Sequence, residues 1–141
     1  MKNLFSTLII LILILSCKKD GDNPPSPYSP STYSIEGKWI YDLNAISNTM
    51  YIFKDGFKYT YYCVSGNCDS LFQTYYAGDT NALPSVHEYN FENDTLIINY
   101  NFGNIQVLPI NFECDGNRIN FNDPNYPDRN DWIKLGALCE D

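Results

Sequence analysis

From Ile35 onward the chain is written in short runs that alternate aromatic or β-branched residues with polar ones, interrupted about every 8 to 12 residues by turn chemistry. That period of two is the strand signature, because successive side chains on a strand point to opposite faces. Trp39, Tyr41 and Leu43 share a face in the first run. Residues 50–54 lead into Asp55-Gly56, a pair that tolerates the left-handed backbone of a two-residue hairpin, and Phe57, Tyr59 and Tyr61 follow on one face. Residues 71–76 read as a further strand. His87, Tyr89 and Phe91 alternate, Glu92-Asn93-Asp94 turns the chain, and Leu96, Ile98 and Tyr100 continue. Ile105 and Val107 alternate before the inward face shifts to Ile110 and Phe112; Pro109 lies at the shift, so a bulge or an edge is expected there. Asp115-Gly116 makes another hairpin into Ile119 and Phe121, and residues 132–135 form the last run. Residues 77–85 and 122–130 read as loops. No stretch after residue 34 carries an apolar helical period. The expected class is all-β: about eight short strands in an antiparallel up-and-down meander, closed into a small barrel because closure removes exposed edges. A β-sandwich is the alternative.

The N-terminus is of a different kind. Lys2 precedes a run from Leu4 to Leu15 that only Ser6 and Thr7 interrupt, and Ser16 then sits before Cys17. The run is well short of the roughly 20 residues that a membrane-crossing helix needs, so it reads as a cleaved export signal covering residues 1–16. Ile14-Leu15-Ser16-Cys17 resembles the lipobox of bacterial lipoproteins, with a bulky Leu15 similar to variants of the Bacteroidota. The resemblance implies lipidation of the Cys17 thiol by diacylglyceryl and fatty acyl chains such as palmitate, and anchoring in the outer membrane, facing the periplasm or the cell surface. Two or three acyl chains, each contributing about 0.8 kcal/mol per buried methylene, make such anchoring durable. Residues 17–34 are then the lipidated N-terminus and a tether. Pro24, Pro25, Pro27 and Pro30 among Ser, Gly, Asp and Asn favour extended polyproline geometry, and the fifteen residues from Asp20 to Ser34 at about 3.1 Å each reach roughly 45 Å. The domain expected to fold is 35–141.

Nine basic residues against seventeen acidic ones give a net charge of −8, and loss of Lys2 with the signal makes the mature chain more negative. Such a surface repels nucleic acid and anionic lipid, so neither is an expected partner. Four cysteines remain beyond Cys17: Cys63, Cys68, Cys114 and Cys139. An exported chain meets an oxidising compartment, where an even number implies disulfides. Cys63 and Cys68 flank the turn-like Val64-Ser65-Gly66-Asn67, which makes a bridge across one hairpin end natural and leaves Cys114 with Cys139. A four-cysteine zinc site is the sharper alternative, disfavoured by the five-residue step and by export.

Gly37-Lys38-Trp39 opens the first strand, and this resembles the Gly-x-Trp signature of the lipocalins and the wider calycin group. The resemblance implies an up-and-down barrel in which Trp39 closes one end and a basic residue of the last strand, here Lys134, packs over its ring. Tyr51-Ile52-Phe53-Lys54-Asp55-Gly56 is likewise similar to short lipocalin-like domains of Bacteroidota lipoproteins.

Catalytic chemistry is sparse. His87 is the only histidine, so a nucleophile–histidine–acid triad would have to use it, with Ser85 or another serine as nucleophile. Its alternation with Tyr89 and Phe91 assigns it instead to a strand facing core or cavity. The carboxylate pairs Glu88 with Glu92 and Asp128 with Asp131 read as solvated turn groups. The Asn/Asp-rich stretch 122–131 has oxygen ligands suited to calcium but lacks the ordered spacing of an EF-hand loop. Neither enzyme activity, metal nor cofactor is expected, and a monomer is. Asp69-Ser70-Leu71 and Asp94-Thr95-Leu96 fit a short O-glycosylation pattern, which makes Thr95, and less strongly Ser70, acceptor candidates. Aromatics make up 16% of the chain and include twelve tyrosines, more than one core face requires. The expectation is a barrel that binds a small apolar or amphiphilic ligand in a mouth lined by Tyr59, Tyr61, Tyr89 and Phe91. The alternative is a filled barrel whose loops contact a protein or a surface glycan.

Overall fold

The computed structural model describes residues 31–41, 47–64, 66–121 and 131–139. Cys17, the export signal, Leu43 and the stretch 122–130 lie outside the described residues. Eight strands close into a barrel: β1 (Gly37–Tyr41), β2 (Thr49–Lys54), β3 (Phe57–Tyr62), β4 (His87–Glu92), β5 (Thr95–Asn99), β6 (Ile105–Glu113), β7 (Arg118–Phe121) and β8 (Trp132–Lys134). Each pairs antiparallel with the next, and β8 returns to β1 with Trp39 opposite Lys134. The up-and-down barrel is therefore the architecture, not the sandwich. Its two-residue hairpins form as the residue types dictate: Asp55 and Gly56, and likewise Asn93 and Asp94, all take positive φ.

The two ends of the barrel differ. At one, residues 31–36 lie across the opening. The Ser31 backbone N–H donates to Asp94 Oδ2 at 2.9 Å, and the Tyr33 ring packs on Phe112 with 5.6 Å between centroids. A Cβ at Gly116 would collide with the Tyr33 ring. Packing onto the barrel thus begins by Ser31, four residues earlier than the expected domain start, because Tyr33 finds an aromatic partner. Trp39, fully buried, donates its indole N–H to the Ile35 carbonyl at 2.7 Å, and Lys134 Nζ lies 5.3 Å from its ring centroid. Gly37 holds φ +138°, which a side-chain-bearing residue rarely adopts. Phe53, Leu96, Ile98, Leu108, Ile110, Ile119 and Phe121 fill the interior around Trp39 and Trp132. At the opposite end β1, β5 and β7 run out.

Three expectations fail here. Residues 71–76 are not a strand: Cys68–Thr74 is a helix, α1. Asn67 caps it by accepting the Ser70 N–H at 3.1 Å, and the Cys63–Cys68 disulfide pins its first turn to the end of β3. Lys38 Nζ donates to the carbonyls of Phe72 at 3.0 Å and Gln73 at 2.9 Å, which closes its C-terminus. Seven residues are two turns, too few to display a period.

The inward face of β3 is also reversed. Tyr59 and Tyr61 face outward and, with Met50, Ile52, Cys63, Cys68 and Phe72, form a second core between the barrel wall and α1. The Tyr61 hydroxyl donates to the Tyr76 carbonyl at 2.7 Å. Because both walls of β2 and β3 are covered, apolar side chains occupy both faces and the alternation ceases to say which is inside. Finally, β6 carries no bulge in its inward set, which runs through Leu108, Ile110 and Phe112 while Ile105 and Val107 are exposed. Pro109 is the last residue paired with β5, opposite Thr95, and Ile110 is the first paired with β7. The proline stands where the strand changes partner.

The second disulfide joins Cys114 to Cys139 and ties the C-terminal segment to the β6–β7 turn.

Candidate functional site

The reversed register of β3 places Lys58, not a tyrosine, inside the barrel. Lys58 stands opposite Phe53 on β2 and His87 on β4 and is only 4% exposed. Its Nζ lies 4.3 Å from the centroid of the Tyr51 ring and 5.5 Å from that of Tyr100, and donates to Thr60 Oγ1 at 3.4 Å. A cavity of about 140 Å³ adjoins it, lined by Tyr41, Tyr51, Ile98, Tyr100, Gln106, Leu108, Phe121 and Trp132. Among the described residues, Lys58 is the one charged side chain in that lining. The cavity occupies the end opposite residues 31–36.

Each wall is positioned by packing. Trp132 is the pivot: its ring meets Phe121 at 4.8 Å, Tyr51 at 4.9 Å and Phe53 at 5.7 Å between centroids. Tyr41 and Tyr51, on adjacent strands, share a hydroxyl–hydroxyl hydrogen bond of 3.0 Å. Burial, reinforced by that bond, holds the Tyr51 phenol far above its usual range, so it stays neutral. Burial acts in the other direction on Lys58 and pushes its ammonium down to about 8. His87 packs its ring on Tyr100 at 4.7 Å, and its Nδ1 is buried without a partner among the described residues. Burial, and secondly the nearby Lys58 charge, lower its pKa, so the imidazole is neutral at pH 7.

The ligand-contacting residues expected from sequence are not brought together. Tyr59 and Tyr61 belong to the outer core. Tyr89 and Phe91 do face inward, but Tyr89 packs edge-on against Phe53 at 5.0 Å and Phe91 against Phe112 at 5.8 Å, in the filled half of the barrel. Thr95 opens β5 half-buried with its hydroxyl on the Asn93 carbonyl at 3.3 Å, whereas Ser70 is exposed in the first turn of α1. No group of three or more metal-ligating side chains occurs among the described residues.

Sequence reasoning missed Lys58, Tyr41, Tyr51, Tyr100 and Gln106. The signal was available in Met50-Tyr51-Ile52-Phe53, whose apolar residues on both faces imply two covered walls and hence an inward-facing Lys58 across from Phe53. A second concavity, about 670 Å³ but shallow and open to solvent, runs outside the barrel between Lys38, Lys54, Tyr59 and Tyr76. It encloses no buried charge, and the interior cavity is the better-formed site.

No known protein family, curated protein or solved structure matches this chain.

Proposed function

We propose that the protein is a lipid-anchored, non-enzymatic binding protein of a bacterial outer membrane, tethered through Cys17, whose barrel holds a small ligand with an apolar body. The observation that carries this reading is the aromatic-lined cavity beside Lys58 at the end away from residues 31–36. A chain anchored through its N-terminus would present that end outward. The volume sets the scale of the ligand, since a cavity of about 150 Å³ suffices for benzene. One ring or a short branched chain fits; a long acyl chain does not.

Two measurements test it. Intact mass of the full-length chain purified from membranes should show loss of residues 1–16 and addition of acyl chains, and Cys17→Ser should move the protein to the soluble fraction. Native mass spectrometry of the same preparation should reveal a retained small molecule. A preparation with no added lipid and no retained ligand would refute both halves of the reading.

A second reading, a module that contacts protein or glycan through its loops, draws on Phe102. This side chain stands fully exposed with φ 53° at the tip of the β5–β6 hairpin, and Ile105 and Val107 extend an apolar stripe along β6. Pull-down with Phe102→Ser against the unchanged chain tests it.

A further inference from the structure

Lys58 is a buried cation whose described surroundings supply rings and hydroxyls but no counter-charge. Tyr41 from β1, Tyr51 from β2, Thr60 from β3, His87 from β4 and Tyr100 beyond β5 border it or the cavity beside it, and none of them is a carboxylate. Aromatic faces offset part of the cost of removing an ammonium from water, yet a buried charge is fully compensated only by an opposite charge with good geometry. The space that an anion would need is the cavity that Lys58 borders.

We propose that this cavity takes a small carboxylic acid, with its ring or short chain among Tyr51, Phe121 and Trp132 and its carboxylate paired with Lys58 Nζ. The inference rests on the ligand-binding reading above and narrows it to a chemical class. One lysine balances one negative charge, so a monoanion fits where a phosphate ester would bring an uncompensated second charge into an apolar lining. The Gln106 amide, also in the lining, offers a neutral donor for the second carboxylate oxygen. Burial of Lys58 makes the pairing pH-sensitive: an acid binds the protonated amine and is released as that amine loses its proton above about pH 8.

The test titrates the full-length chain in detergent with phenylacetate and with its neutral counterpart 2-phenylethanol, following the fluorescence of Trp132. Phenylacetate should bind tighter than the alcohol at pH 7, lose more than about tenfold in affinity by pH 9.5, and lose a similar factor on Lys58→Met. Binding of 2-phenylethanol should change by less than about twofold in both comparisons. Equal binding of the two compounds, or acid binding indifferent to pH and to Lys58→Met, overturns the acid inference while leaving the cavity reading in place. If neither compound binds at millimolar concentration, the cavity reading falls with it. Should Lys58→Met fail to fold, shown by loss of its near-ultraviolet circular dichroism, the pH arm on the unchanged chain decides between these outcomes. A carboxylate of the chain itself that already neutralises Lys58 would appear as acid binding no stronger than alcohol binding, and also overturns the proposal.

Discussion

The Lys38 ammonium donates to the Phe72 carbonyl at 3.0 Å, and this bond joins the first strand of the barrel to the end of α1. With the Gln73 carbonyl at 2.9 Å as a second acceptor, one cation adds a donor to the Phe72 carbonyl, which also accepts the Tyr75 N–H at 3.3 Å, and supplies one to Gln73 at the helix C-terminus. Lys38→Met should therefore cost about 1 kcal/mol in urea unfolding. Its amide-exchange protection should drop in α1 and not in β5 or β6.

Lys58 makes stability rise with pH over a defined window. Its folded-state pKa of about 8 lies below the unfolded value of 10.5, so between those values the unfolded chain binds more protons and stability climbs with pH. The burial penalty is fully present below about pH 8 and is relieved toward pH 10, an effect on the order of 3 kcal/mol for a shift of this size. Lys58→Met should flatten that slope and raise stability at pH 7 by about 2 kcal/mol. A chain whose unfolding free energy does not change between pH 8 and pH 10 would contradict the buried position of the amine.

The pairing of Trp39 with Lys134 predicts two unequal losses. Lys134→Ala removes a cation over an indole and should cost about 1 kcal/mol. Trp39→Ala empties a site with no exposure at all and should cost about 3–5 kcal/mol, measured by thermal unfolding. Gly37→Ala should fall between them, since alanine must adopt φ +138°.

The disulfides should separate by loop length. Replacing Cys114 and Cys139 by alanine opens a 25-residue separation and should cost about 3 kcal/mol; for Cys63 and Cys68, five residues apart, about 2 kcal/mol is expected. Urea midpoints of the two double variants give the comparison directly.

How far residue pattern alone reached depended on whether one wall or two were covered. β4, β5, β7 and the hairpins at Asp55-Gly56 and Asn93-Asp94 are local, with one face inward, and their alternation shows in the residues themselves. The turn between Cys63 and Cys68 pointed to the pairing found among three possible ones, although it leads into a helix and not into the second strand of a hairpin. β3 was misread because Tyr59 and Tyr61 are larger and more apolar than Lys58 and Thr60, which makes the outer face look like the inner one until α1 is known to cover it. The cavity shared that fate. Its walls come from β1, β2, β3, β5, β6, β7 and β8, and pairing through β4 brings Lys58 near Tyr100, 42 positions further on.

Between β3 and β4 only Phe57 with Glu88 and Lys58 with His87 pair, as few as between β7 and β8, and Leu83 takes over by donating to the Thr60 carbonyl at 2.8 Å. Amides of β4 facing β3 should exchange faster than those facing β5, where five pairs hold the strand.

Closure of β8 onto β1 has a consequence for molecules crowded on one surface. A sheet that returns to its own first strand offers no row of free donors and acceptors along an outer margin, so a neighbouring copy has no template on which to extend it. Under the anchoring proposed above, chains concentrated in two dimensions can then reach high density without polymerising strand to strand.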